Sequence, residues 1–286
     1  MSDHHLSRRA FLSASGALMI GLASPDAWAQ AARPSPKSPN NPDLLADSLD
    51  AYLAIDRNGK VDVFYGAIDG GQGLETSIAQ MVAEELEVPL SAIRMVMGDT
   101  RRTLNMGGAS GAQGVSRRGT SLMKAAAQAR KILVEEAARK WRVQPDELAV
   151  KDGVIYLRSN PAKRIAYGKI IGGKPFKENV RWNGQWGNPH DIATDAPLKS
   201  YKDYRLIGQS PRRIDLPKKV FGEQDFPGDV KLPGMLHARM VRPPVAGAVP
   251  VSVDEGSISH IPGARIVHIK DLLAVVAPKE WNSVRA

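Results

Sequence analysis

The chain has 286 residues, 43% hydrophobic and 24% charged, an ordinary globular balance. It carries a formal charge of +9 and no cysteine, which excludes disulfide stapling and thiolate ligation of zinc, haem or iron–sulfur centres by this chain. The basic residues are scattered in short clusters such as Arg212-Arg213 and Lys218-Lys219, as on a solvated face and unlike a stripe for nucleic acid.

In chain order, a polar start leads to Ser7-Arg8-Arg9-Ala10-Phe11-Leu12, then to an uncharged, weakly apolar run from Ala10 to Ala23. Ala27-Trp28-Ala29 puts small residues where a signal peptidase reads them, which predicts cleavage before Gln30. The run falls short of the roughly 20 residues a membrane span needs, so no span is expected after cleavage. In this setting the paired arginines resemble a twin-arginine signal, a receptor-read export address. That implies a periplasmic location, passage through the twin-arginine machinery and a cargo folded around its cofactor before export. Export argues against a nucleic-acid partner. Residues 30–43, rich in Pro, Ser, Asn and Ala, read as a disordered tether.

Ala51–Ile55 and Val61–Tyr65 read as strands joined by the hairpin turn Asp56-Arg57-Asn58-Gly59. A glycine-rich loop, residues 66–73, follows. Leu74, Ile78, Met81, Val82 and Leu86 then share one helical face, opposite Glu75, Glu84 and Glu87, and Pro89 is expected to end the helix. Ile93–Met97 is a further strand, and Gly98-Asp99-Thr100 a turn. A second glycine loop, residues 105–114, leads to a helix from about Thr120 to Trp141 with Leu122, Ala126, Ala129, Leu133 and Ala137 inward. Leu148–Leu157 reads as a hairpin around Asp152-Gly153, and Asn160 to about Pro197 as irregular. A second unit is expected from Tyr204, with strands in Gly234–Met240, Ala264–Ile269 and Leu272–Ala277. Residues 278–286 look like the first turns of a helix that stops, as in a fragment. The class is α+β. No repeat of fixed period appears, although strand, glycine loop, helix occurs twice.

Those two loops carry the chemistry. Each precedes a helix whose N-terminus exposes unpaired N–H groups at the positive end of the macrodipole, and glycine lets an anion approach the amides. Gln72 between Gly71 and Gly73, and Ser110 and Gln113 in the second loop, add neutral donors and acceptors. Two cradles suit a pyrophosphate; the alternative is that both loops are tight connections in an α/β domain. Neither ends in the Lys-Ser/Thr of a P-loop, neither is a Rossmann Gly-x-Gly-x-x-Gly, and no Gly-x-Ser-x-Gly elbow occurs. The six histidines, His4, His5, His190, His237, His260 and His268, lack metal-site spacing on one helix. Glu84-Glu85 and Glu135-Glu136, being adjacent, point to different sides of their helices and make no acid/base pair. No catalytic or metal-ligating residue is assigned.

At Gly70-Gly71-Gln72-Gly73-Leu74-Glu75-Thr76 the sequence resembles the glycine–glutamine–glycine motif of the xanthine dehydrogenase superfamily, and Met97-Gly98-Asp99-Thr100 and Gly107-Gly108-Ala109-Ser110-Gly111 follow in matching order. It is similar to the isoquinoline 1-oxidoreductase β-subunit type, in which a molybdopterin-binding segment precedes an α/β hammerhead domain. Tyr204–Gly208, Arg213–Gly222 and Leu232–Arg239 resemble that second domain. The resemblance implies a partial molybdopterin-binding domain over 44–203 and an incomplete hammerhead domain over 204–286. It implies molybdopterin cytosine dinucleotide as cofactor, with Gly71, Gln72 and Gly73 on the pterin and Gly108, Ser110, Gly111 and Gln113 on the phosphates or the cytosine end. Where the family often has small hydroxyl residues after the serine–glycine pair, this chain has Ala112 and Gln113. It further implies iron–sulfur clusters on a partner small subunit, a cytochrome c as electron acceptor, and oxidation of aldehydes or N-heteroaromatics with water. The glutamate that serves such enzymes as general base belongs to a part this chain lacks, so the chain alone is expected to be inactive. A non-catalytic exported binding or assembly module is the competing expectation.

Overall fold

The computed structural model describes residues 37–39 and 41–286. The expected signal over 1–29 lies outside the described residues, as does most of the tether. The tether's end corrects the expectation of disorder. Ser38 is buried, its amide donates to the Leu44 carbonyl at 2.9 Å, and Lys37 bridges to Leu45.

The chain divides into two compact units, residues 1–217 and 218–286. In the first, β1 (Leu53–Ile55) and β2 (Val61–Tyr65) form the expected hairpin. Asp56 Oδ1 accepts the amides of Asn58 and Lys60, and Gly59 takes the positive φ of 84° that the turn demands. α1 (Leu74–Leu86) then crosses to β3 (Ile93–Met97), which pairs parallel to β2 with Tyr65 opposite Met97. α1 ends before Pro89 acts: Glu87 turns left-handed at φ 54°, and the Val88 amide donates back to Ala83.

The second helix, α2 (Thr120–Trp141), begins one wide turn earlier than expected. A π-helical turn over Gly114–Gly119 runs straight into it. Gly119 is what lets α1 and α2 meet, because a Cβ there would lie 2.8 Å from the Met81 side chain and 2.9 Å from Ile78. Tyr52, Leu53, Val61, Val63, Ile78, Val82, Leu86, Leu122, Ala126, Ala129, Leu133 and Ala137 fuse sheet and helices into one core. Each large member contributes about 1.5–3 kcal/mol of burial.

β4 (Leu148–Lys151), β5 (Val154–Leu157) and β6 (Asn160–Ala166) form a second antiparallel sheet, turning through Asp152 and Gly153 at φ 53° and 74°. The stretch expected to be irregular therefore holds β6, the short helix α3 (Tyr167–Ile171) and the two-residue strands β7 (Arg181–Trp182) and β8 (Ile192–Ala193). Pro161 sits in an exposed strand, where a missing N–H is harmless, and this disguises β6 in the sequence.

Residues 199–215 form a strap along α1. The Glu84 carboxylate accepts the amides of Arg205, Leu206 and Ile207 at 2.8, 2.6 and 3.1 Å and pairs with Lys199 Nζ at 2.5 Å. Glu85 accepts the Lys199 amide at 3.1 Å. Gln80 donates to the carbonyls of Leu206 and Gln209, Thr76 Oγ1 accepts the Ile214 amide, and Arg213 donates to the Gly71 carbonyl. The strap explains why the compact units divide after Pro217 and not at Tyr204. It also corrects Glu84, expected to face outward and in fact 2% exposed. Burial raises the Glu84 carboxyl, but the Lys199 bond and the three amides outweigh it and leave the group below its ordinary value. Burial dominates at Glu85, which titrates higher than usual.

His190 is buried against Tyr52, Trp182 and Trp186. The Tyr52 hydroxyl donates to the Ala46 carbonyl at 2.6 Å and so accepts from His190 Nε2 at 3.0 Å, leaving Nδ1 without a partner among the described residues. Burial lowers the imidazole to about 4, opposed only by Asp191. Since the unfolded chain takes up this proton near pH 6.5, stability is complete above that pH and falls by about 3 kcal/mol as pH drops from 6.5 to 4. Urea titrations across that window should show the loss in the native chain and a flatter limb in His190→Phe.

The second unit is a three-stranded antiparallel sheet, order β10 (Arg265–Ile269), β11 (Leu272–Ala277), β9 (His237–Met240). Its small core is Ile258, Ile261 and Val275, and the terminal α5 (Glu280–Arg285) is tied to β9 by Arg239–Glu280 at 2.6 Å. A short helix, α4 (Leu216–Val220), crosses the division between the units. Among the described residues no helix is long and apolar enough to cross a membrane.

Candidate cofactor site

Parallel pairing of β2 and β3 makes both strands exit on one side, the side where open α/β sheets bind ligands. Each exit is a glycine loop, and the two loops line one cavity of about 480 Å³. Gln72 and Leu74 come from the first loop, Ala109 to Gly114 from the second, and Arg118 from the π-helical turn. The size falls in the range of small-ligand sites.

The loops are not equivalent. In the first, Asp69 Oδ1 accepts the amides of Gly71 and Gly73 at 2.8 and 3.2 Å, and Oδ2 accepts that of Glu75 at 3.2 Å. The start of α1 is thus capped by its own chain, and the expectation of bare amides at Gly71 and Gly73 is corrected: the carboxylate fills the place an anion would take. Gly73, at φ 85°, lies under the Arg213 guanidinium, where a Cβ would come within 3.1 Å. What this loop offers the cavity is the exposed side chain of Gln72.

The second loop remains open. The amides of Ser110, Gly111 and Ala112 have no hydrogen-bond partner among the described residues, and they are exposed toward the wide first turn that starts at Gly114. Gln113 lines the same cavity, and its Oε1 is buried without a partner among the described residues. Gly108 faces solvent while its carbonyl is held from behind by Arg118 Nη2 at 2.6 Å. Arg118, 2% exposed, also donates through Nε to the Met106 carbonyl at 2.7 Å and through Nη2 to Asn188 Oδ1 at 2.7 Å. Asn188 Nδ2 in turn donates to Ser110 Oγ at 2.9 Å. Sequence reasoning does not find Arg118 or Asn188. Arg117-Arg118 at a helix start, where a cation opposes the dipole, is the one available signal that an arginine there serves a neighbouring loop.

Ala112 holds a φ of 54°, a left-handed conformation that costs a residue with a Cβ about 1 kcal/mol. Ala112→Gly is therefore expected to raise unfolding stability by a few tenths to about 1 kcal/mol, less the entropy glycine adds to the unfolded chain, as read from a urea midpoint.

A second cavity, about 340 Å³, lies at the far end of α1 against Glu84, Lys199 and Arg205. Its central charges already neutralise each other in the strap, so the open, donor-rich second loop is the better binding site.

These features place unpaired donors around one cavity where two strand–loop–helix units converge, chemistry that suits an oxyanion. Residues 29–203 match the family model for the molybdopterin cofactor-binding domain. The chain belongs to that family, within the xanthine dehydrogenase superfamily that its two glycine loops resemble. It is 37% identical over 254 residues to a nicotinate dehydrogenase chain of Pseudomonas putida, covering 86% of this chain and 20% of that protein. It is 31% identical over 311 residues to the β-subunit of isoquinoline 1-oxidoreductase of Brevundimonas diminuta, covering 98% of this chain and 39% of that one. A solved quinoline 2-oxidoreductase of Pseudomonas putida 86 overlays 42% of this chain and 15% of its own at a TM-score of 0.37, with 28% identity. The chain thus spans between a fifth and two fifths of these two curated relatives.

Proposed function

We propose that this chain is the dinucleotide-gripping segment of a molybdenum hydroxylase that oxidises N-heteroaromatics or aldehydes with water. The observation that carries it is the single cavity shared by both glycine loops, with uncommitted amides on the second. The site fits a molybdopterin dinucleotide: Ser110, Gly111 and Ala112 present donors to a diphosphate, and Gln72 presents an amide to the pterin. Gln113 stands at the nucleotide end. Bound there, the cofactor supplies the redox chemistry of the hydroxylation. This chain's own residues bind it and orient it. The names of the relatives, a nicotinate dehydrogenase and an isoquinoline oxidoreductase, support an N-heteroaromatic substrate.

The same reading gives the chain an iron–sulfur small subunit as partner, since it has no cysteine to hold a cluster, and a cytochrome c beyond that. It places the complex in the periplasm on the strength of Ser7-Arg8-Arg9 and the apolar run behind it. Metal and nucleotide analysis of the chain purified with its partners is the test. Molybdenum and acid-released CMP in equal amounts are expected, and a folded complex lacking both rejects the proposal. Replacing Arg8 and Arg9 by lysine should leave the protein in the cytoplasm.

A further inference from the structure

Asn188 lies far along the chain from either glycine loop, and its bonding runs in one direction only. Oδ1 accepts from Arg118 Nη2 at 2.7 Å, and a guanidinium is a donor with no acceptor. This fixes the amide: Nδ2 must face Ser110, and it donates to Oγ at 2.9 Å. Ser110 thereby spends a lone pair on Asn188, and its single proton is left for something else. The side chain is exposed and lines the loop cavity. Gly111 and Ala112 add two amides without partners among the described residues. Between Ser110 and Ala112, then, the cavity is offered the Ser110 proton and three uncommitted amides, against one remaining hydroxyl lone pair and the Gly111 carbonyl.

Asn188 is itself held firmly. The Gly187 amide donates to the Asn105 carbonyl at 3.1 Å, and a Cβ on Gly107 would overlap the Asn188 side chain and backbone. Two residues on, His190 sits in its aromatic pocket. Asp191 accepts from Ser121 Oγ at 2.8 Å and from Lys124 at 2.9 Å, pinning the segment to α2.

We propose that Arg118 and Asn188 are positioning residues that lock the Ser110 hydroxyl as a donor, so that the second loop selects a diphosphate-type oxyanion, which only accepts, over a ligand hydroxyl. The proposal rests on the reading of this cavity as the dinucleotide site and adds what sets its selectivity. The lock works through orientation. Removing it leaves the hydroxyl in place but free to turn its lone pairs toward the ligand.

The test is calorimetric titration of inorganic pyrophosphate into the purified full chain. Ser110→Ala is expected to weaken binding about tenfold, the worth of one hydrogen bond to a charged acceptor. Asn188→Ala should weaken it by a similar factor, yet in the Ser110→Ala background it should change affinity by less than about twofold, because the two act through one proton. Asn188→Asp keeps Oδ1 for Arg118 and replaces the donor with a second acceptor. It should unfold no more readily than the native chain, yet bind pyrophosphate at least as weakly as Ser110→Ala, whereas Ser110→Thr with Asn188 intact keeps the hydroxyl and should bind at the native level. A merely structural Asn188 would weaken binding equally in both backgrounds, and that additivity, or full affinity in Asn188→Asp, overturns the proposal. A native chain that binds no pyrophosphate overturns the reading of the loop itself.

Discussion

Glu84→Ala should destabilise the first unit by about 3–5 kcal/mol, the usual loss when one partner of a buried ion pair is removed. Its side chain is 1% exposed and that of Lys199 10%, so water does not replace what alanine takes away. Three strap amides lose their only acceptor at the same time. Glu84→Gln keeps one acceptor oxygen for the amides but leaves Lys199 with only the longer Glu87 ion pair at 3.9 Å, and should cost about half as much. Urea unfolding gives the magnitude, and trypsin gives the location: Lys202 and Arg205 should become early cleavage sites in Glu84→Ala. Because the Glu84 carboxyl lies below its ordinary 4.5, its stabilisation is present above that pH and disappears as the group protonates. The variant should therefore also flatten the acid limb below pH 4.5. A Glu84→Ala chain within about 1 kcal/mol of native, with no new tryptic sites, would show that the strap is held by other contacts.

The strap also shows where the legibility of a sequence stops. The periodicity of Leu74, Ile78, Val82 and Leu86 reveals α1, because the stripe that faces the sheet is a local property, although its end at Leu86 comes before the proline expected to stop it. The opposite face looks wet, since nothing within the helix announces that residues more than a hundred positions later will cover it. The same asymmetry runs through the site. Both glycine loops and their helices are legible from glycine content and a change of period, while their convergence follows from the parallel pairing of β2 and β3, which no local pattern specifies. Asp69 is a different case. An aspartate two residues before Gly71 is a local capping signal, and given its weight it shows that the first loop binds its own carboxylate. Asn188 carries no signal at all, because an asparagine between Gly187 and Pro189 reads only as a turn.

Arg118→Met should be nearly as damaging as Glu84→Ala, and its damage should fall on the second glycine loop. Methionine matches the apolar length of the side chain, so little cavity forms, but three acceptors are orphaned: the carbonyls of Met106 and Gly108 and Oδ1 of Asn188. Only the Met106 bond is fully buried, so at about 1–3 kcal/mol for an unsatisfied buried acceptor and less for the two part-buried ones, a loss of about 2–4 kcal/mol is expected. Arg118→Lys separates charge from geometry. An ammonium keeps the positive charge behind the loop, but as a compact point donor it cannot hold the Met106 carbonyl through one nitrogen while bridging Gly108 and Asn188 through another. Stability, and hydrogen exchange at Met106 and Gly107, whose amides are hydrogen-bonded, should therefore resemble Arg118→Met more than the native chain. Near-native exchange in Arg118→Lys would mean that the charge alone organises the loop. Rapid exchange with the charge retained would mean that the fixed fork of the guanidinium does, and that a long-range ordering of carbonyls, not a basic patch, prepares the second loop for its anion.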